Sequence, residues 1–134
     1  MAHSFVEFHD ARQHLQDDDI IFVAALMMEE RRKLPASVSV PENIDQLFRW
    51  WNETFWSWGP GTLNPKLDEF LVDPESVRVF RDLLDRARDE IQKFGGIIPG
   101  ADRDRIGRFA GCNDRPTKDI VRVIDRIGSL FKKT

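Results

Sequence analysis

Apolar side chains recur at intervals of three and four residues along most of the chain, the spacing of one α-helical face. The clearest segment begins at Asp73-Pro74-Glu75, which combines a capping carboxylate, a first-turn proline and an acid at the positive end of a helix. Gly95 is typical of a helix end. Between these limits one predicted buried face consists of Val77, Phe80, Leu84, Ala87, Ile91 and Phe94.

Similar patterns predict helices before and after this segment. One helix should begin after the aspartates at 17–19 and run from Ile20 to about Lys33, with its first nine residues apolar on all sides. That composition predicts a central helix or, as an alternative, a buried strand that leads into a helix. Shorter segments are expected at 67–72 and 102–109. A last helix should begin near Thr117 and bury Ile120, Val123, Ile124, Ile127, Leu130 and Phe131.

The N-terminal segment also fits a helical spacing. Phe5, Phe8, Ala11 and Leu15 predict a short helix over Phe5–Leu15, and no stretch alternates strictly enough to indicate a strand. The predicted fold is therefore all-α: a compact helical bundle of about five to six helices, with residues 1–134 in a single domain.

All four tryptophans lie within residues 50–58, in a predicted helix that starts at Pro41 and is broken by Gly59-Pro60-Gly61. At about 100° per residue, Trp50 and Trp56 lie roughly 120° from Ile44 on either side. The residues that fall within about 60° of Ile44, and so form the predicted core face, are Leu47, Phe48, Trp51, Phe55 and Trp58.

Trp50 and Trp56 therefore fall beside Arg49 and Glu53, on the face expected to be wet. Three interpretations remain open. Another segment of the chain covers the two rings, or they anchor a second protein, or they form a cage for a small molecule. Tryptophan and arginine are enriched at the energetic centres of protein interfaces. Arg49, Trp50, Glu53 and Trp56 are accordingly the candidate partner-binding residues.

Composition narrows the function classes only slightly. The 134 residues carry a net charge of −3, and the single cysteine excludes an intramolecular disulfide. The longest apolar run, Ile20–Met28, is too short to span a bilayer, and no secretory signal is visible. These features predict a cytoplasmic protein without a membrane segment.

No spacing of residues spells out a known chemistry. His9 and His14 are about 140° apart on a helix and cannot chelate one ion there, and the aspartates at 17–19 are explained as a helix start. The five glycines of 95–111 lack the ending of a phosphate-binding loop, and Cys112 has no neighbouring histidine. The sequence thus predicts no enzyme, no cofactor and no metal site.

The basic C-terminal third supplies an alternative. A stripe of cations could contact the phosphates of a nucleic acid. Four interleaved aspartates and the acidic net charge argue against this alternative. The residues of the stripe are Arg103, Arg105, Arg108, Arg115, Lys118, Arg122 and Arg126.

The preferred hypothesis is a small cytosolic module that binds another protein through the tryptophan-rich helix. An inhibitor or a toxin-neutralising immunity protein would fit this profile. The alternatives are nucleic-acid binding through the basic stripe and self-association, as in a homo-oligomeric structural protein.

Overall fold

A computed structural model of the chain describes residues 2–57 and 59–132. Within these residues the fold is mixed, with six α-helices and two small antiparallel sheets, so the predicted all-α class is wrong. The helices, α1 to α6, span Asp17–Lys33, Glu42–Thr54, Leu67–Phe70, Pro74–Gln92, Gly100–Gly107 and Thr117–Gly128. The strands, β1 to β4, span His3–Phe8, Ala11–Gln16, Ile97–Ile98 and Arg115–Pro116.

The N-terminal segment is a β-hairpin and not the predicted short helix. Strands β1 and β2 pair in register from His3 opposite Gln16 to Phe8 opposite Ala11. Ser4, Val6 and Phe8 point inward, and the residues between them are exposed. This alternation was hidden because a polar Ser4 occupies a buried position while an apolar Phe5 lies outside. Ser4 tolerates burial because its hydroxyl donates to the Asp17 carboxylate at 2.6 Å.

The helices follow the predicted pattern more closely. Helix α4 begins as expected, with the Asp73 carboxylate accepting the Ser76 amide at 2.8 Å and Pro74 in the first turn. Helix α1 starts three residues earlier than predicted, so its aspartates occupy the first turn. Helix α2 ends at Thr54, and Trp58, the predicted end, lies outside the described residues.

Helix α1 forms the centre of the core. Its residues 20–27 are buried, and it packs against α4, α5 and α6. A series of ring contacts connects the hairpin to α2. Phe8 lies 4.7 Å from Phe131, Phe131 lies 5.4 Å from Phe80, and Trp51 meets Phe80 edge-on at 6.0 Å. The predicted buried face of α6 is confirmed, as is the core face of α2 from Ile44 to Phe55.

The glycine-rich turn before α5 contains β3, which pairs with β4 and was not predicted. Gly100 starts α5 against the backbone of Cys112, where a Cβ atom would collide with the carbonyl group. In the described part of the chain, no helix combines the length and the apolar character that crossing a membrane requires.

Candidate functional site

The outward face of α2 carries the four residues singled out from the sequence. Arg49 and Glu53 are exposed at its centre, whereas Trp50 and Trp56 are half-buried on its two flanks. Trp51 and Phe55 are buried in the core, as the helical angles require. All four candidates are therefore at least partly exposed, on α2 or just beyond its end.

Trp50 is held by the loop that follows α2. Its indole N–H donates to the Asn64 carbonyl at 3.0 Å, and the Lys66 ammonium lies 4.1 Å from the ring centroid. Lys66 adopts a left-handed backbone conformation, with φ of 54°. Such a conformation costs a residue other than glycine about 1–2 kcal/mol. The ammonium also pairs with Glu69 at 3.6 Å.

Trp56 is held in the same way by the end of α5. Its indole N–H donates to the Gly107 carbonyl at 2.8 Å, and the Arg108 guanidinium carbon lies 3.5 Å from the ring centroid. Arg108 is also left-handed, with φ of 57°, and donates to the Asn52 side-chain oxygen at 2.9 Å. Burial lowers the pKa of this guanidinium, because it disfavours the charged form.

Both off-face rings are thus partly covered by the protein's own chain, which is one of the interpretations left open by the sequence. Each indole donor has a backbone acceptor, and each ring lies against a cation. Sequence reasoning missed the part that Lys66 plays and assigned Arg108 to a different surface. No local signal marks either residue, because each meets its tryptophan through a long-range contact.

The exposed residues in the second half of α2, together with Trp50, Trp56 and the two cations that cover them, form one surface, which we call the α2 face. Its cations are not equally neutralised. Lys66 has Glu69, but Arg108 and Arg49 have no carboxylate partner within residues 2–57 and 59–132. The members of the α2 face are Arg49, Trp50, Asn52, Glu53, Trp56, Lys66 and Arg108.

A groove of about 760 Å³ adjoins the α2 face at Asn52 and Arg108. It lies between the second half of α1 and α5, and the end of α4 closes one side. Most of its charges are paired. Arg32 pairs with Glu29, and Lys33 lies 2.9 Å from Glu30.

The basic stripe predicted as a nucleic-acid surface is not one surface. Arg103 is buried and donates to the Asn113 carbonyl at 2.8 Å, while Arg115 pairs with buried Asp19 at 2.9 Å. Arg105 pairs with Asp102, one turn earlier in α5, at 2.8 Å.

The other cations of the stripe lie on two different parts of the surface. Arg108 belongs to the α2 face, and Arg126 donates to Gln13 and to the His14 carbonyl on β2. Lys118 and Arg122 are exposed on α6, without an ion pair to any other described residue. Lys118, Arg122 and Arg126 are spaced four residues apart on α6, so three of the seven cations are exposed on one helix face.

The Asp19–Arg115 pair is a structural feature of the interior. Burial raises the pKa of the Asp19 carboxyl, and this effect outweighs the attraction of Arg115 and Arg103. One carboxylate oxygen of Asp19 is buried and accepts no hydrogen bond from the residues that the structure describes. The pair joins α1 to β4.

The remaining candidates for chemistry have weak support. Burial and the Asp104 carboxylate raise the pKa of the Cys112 thiol to about 11, so its thiolate is scarce at neutral pH. Among the residues described, no cluster of three or more histidine, cysteine or acidic side chains is arranged to hold a metal ion. No protein-family model matches the chain, and comparisons with curated proteins and with solved structures find no similar protein.

Proposed function

We propose that this protein binds another protein chain through the α2 face. One observation carries the proposal: two half-buried indoles lie on the flanks of the exposed face of α2, each beneath a cation from a different loop. Tryptophan and arginine together are typical of the residues that dominate binding energy in protein interfaces.

The energetics of the two loops support this use. A left-handed lysine or arginine costs about 1–2 kcal/mol relative to glycine, and an exposed cation–π contact returns about 0.5–1 kcal/mol. Folding stability alone therefore gives little reason for a long cationic side chain at Lys66 or Arg108. Backbone strain of this kind is often found where a side chain serves binding.

A protein partner fits this face better than a nucleic acid. Bases bind aromatic side chains by stacking on the ring face, and here a cation already covers one face of each indole. The guanidinium of Arg108 has N–H donors beyond the one that bonds Asn52, and these can serve side chains of a partner. Because Arg103 and Arg115 are engaged by other residues of the fold, only part of the predicted basic stripe could contact phosphates.

Within protein binding, we propose a neutralising role in the cytoplasm, as an inhibitor or immunity protein. The support is the composition of the α2 face, where tryptophan and arginine, the residues that dominate binding energy in tight interfaces, lie together. Co-expression with the products of neighbouring genes tests this finer proposal. Rescue of growth from one toxic product, lost on Trp56→Ala, would support it; no rescue from any neighbouring product would count against it.

Site-specific photo-crosslinking tests the binding surface directly. A benzophenone amino acid at Glu53 should give a discrete crosslinked product in the native cells. The same group at Arg81, exposed on α4, should not. The identified partner is then purified and titrated by calorimetry. We expect Trp56→Ala to weaken binding about 30-fold, the effect of one interface hot spot of about 2 kcal/mol.

The other outcomes are equally informative. A product of twice the chain's mass would show that the partner is a second copy, which is the self-association alternative. Equal crosslinking from Glu53 and Arg81, or a binding constant unchanged by Trp56→Ala, would contradict the proposal. Salt-dependent binding of generic DNA or RNA, unaffected by that substitution, would support the nucleic-acid alternative instead.

A further inference from the structure

The groove beside the α2 face is lined by both charged and apolar side chains. Met28 from α1, Ile106 from α5 and Phe94 beyond α4 line it, and all three are half-buried. Its volume of about 760 Å³ is large enough for several side chains of a peptide segment. Partly exposed apolar side chains in a concave site provide binding energy when a partner covers them.

The walls of the groove differ in how their charges are compensated. The acidic residues on the α1 side are matched, since Glu29 pairs with Arg32 and Glu30 with Lys33. Glu90, at the end of α4, lies 2.8 Å from Lys93 and 3.9 Å from Lys33. On the α5 side Arg105 pairs with Asp102, whereas Arg108 has no carboxylate partner among the described residues.

Arg108 is a cation with hydrogen-bond donors to spare. Within the described chain it bonds only to the neutral Asn52 side chain, through one of its two terminal nitrogens. A guanidinium has five N–H donors in a planar fork, so further donors can serve a carboxylate. Its stacking on Trp56 fixes the plane of the fork before any partner arrives. Arg108 is exposed at the rim of the groove, and its partial burial lowers the pKa of the guanidinium.

We infer that the groove between α1 and α5 receives an acidic segment of the partner, with a carboxylate on Arg108 and a neighbouring apolar side chain on Met28, Ile106 and Phe94. This inference rests on the proposed function and adds the chemistry of the partner. The complementary charges are the argument for an acidic occupant. A basic segment would meet Arg108 without compensation, since the groove's carboxylates are already paired.

Selection from a phage-displayed library of random twelve-residue peptides tests this inference on the full chain. Peptides enriched on the wild-type protein should share an acidic residue close to an aliphatic or aromatic one. Fluorescence anisotropy of the best labelled peptide should show at least tenfold weaker binding to Arg108→Gln. That variant keeps a left-handed residue other than glycine, so its backbone strain matches the wild type. Arg122→Gln is the matched control, because Arg122 is an exposed arginine of α6, and this variant should bind the peptide as tightly as wild type.

The result that overturns the inference is a set of enriched peptides without acidic residues, no enrichment at all, or equal binding to Arg108→Gln and wild type. This failure is distinct from failure of the proposed function. If crosslinking from Glu53 captures a partner but Arg108→Gln leaves peptide binding unchanged, the α2 face is supported as the binding surface and the groove inference is rejected. Thermal unfolding of Arg108→Gln, expected to stay within a few degrees of wild type, separates lost binding from lost folding.

Discussion

Replacing Arg115 with methionine should destabilise the fold, because it leaves the Asp19 carboxylate buried without its main counter-ion. The Asp19 side chain is 3% exposed and the Arg115 side chain 22%. Removing one partner of a buried ion pair costs about 3–5 kcal/mol. The lower end, about 3 kcal/mol, applies here because Arg115 is partly exposed and Arg103 still attracts Asp19.

The destabilisation should depend on pH in a defined direction. Burial raises the pKa of Asp19 above its ordinary value of 3.8, so the folded state binds the proton more tightly than the unfolded state. The carboxyl's contribution to stability is therefore fully present below pH 3.8 and is lost as the pH rises through the raised pKa. Arg115→Met raises that pKa further, because the attraction of the guanidinium disappears. The free-energy difference between variant and wild type should be largest at neutral pH and shrink in acid.

Urea unfolding followed by tryptophan fluorescence measures this difference, with Trp51 buried in the core as a reporter. Wild type and variant are compared with each other at about pH 7 and again at about pH 4.5. Because both proteins are measured at the same pH, the contributions of the other carboxylates to the free energy of unfolding largely cancel in the difference. Arg122→Met is the control, exposed and without an ion pair among residues 2–57 and 59–132, and should change stability by less than about 0.5 kcal/mol. Equal effects of the two substitutions, or a difference independent of pH, would refute this account of the buried pair.

Three further predictions concern the loops around the site. Arg108→Gly should be more stable than Arg108→Ala by about 1 kcal/mol in urea unfolding, because only glycine relieves the left-handed strain; equal stabilities would contradict this. Gly100→Ala should cost about 1–3 kcal/mol by overpacking against the Cys112 backbone, and Gly96→Ala, with open space, should be nearly neutral; similar unfolding midpoints would count against it. Cys112 should react slowly with a disulfide reagent at about pH 8 and much faster in urea, since its pKa of about 11 belongs to the folded state; equal rates would disprove the burial of the thiol.

The helical part of the fold could be predicted because local signals and burial agree there. In α4 the Asp73 cap, Pro74 and the apolar face indicate the same element, and the structure has it. In the β1–β2 hairpin the local sequence signals and the burial disagree. Phe5 is exposed, where it stacks on His14 at 4.6 Å, and Ser4 is buried against Asp17. An alternating pattern cannot be recognised when one inward position is polar and one outward position is aromatic.

The arginines show why the site could be predicted only in part. Sequence places Arg103, Arg108 and Arg115 within one basic stretch, but the fold sends each to a different environment. Arg115 reaches Asp19, 96 positions away along the chain, and Arg108 reaches Asn52, 56 positions away. Nothing local distinguishes a buried arginine from an exposed one. By contrast, the position of Trp50 and Trp56 outside the core face could be predicted from the sequence, because it follows from helix geometry alone.

The way in which the two tryptophans are held bears on what the α2 face is for. The hydrogen bonds from both indoles end on backbone carbonyls, so glycine at 66 or 108 would keep them and remove the strain. What the lysine and arginine add is a positive charge held at a fixed place, since the ring beneath restricts the side chain. A partner that meets such a side chain orders less of it on binding, and the entropic cost of association falls. Substitutions at Arg108 should therefore reduce binding far more than they reduce the free energy of unfolding, and that disparity distinguishes a docking surface from a packing contact.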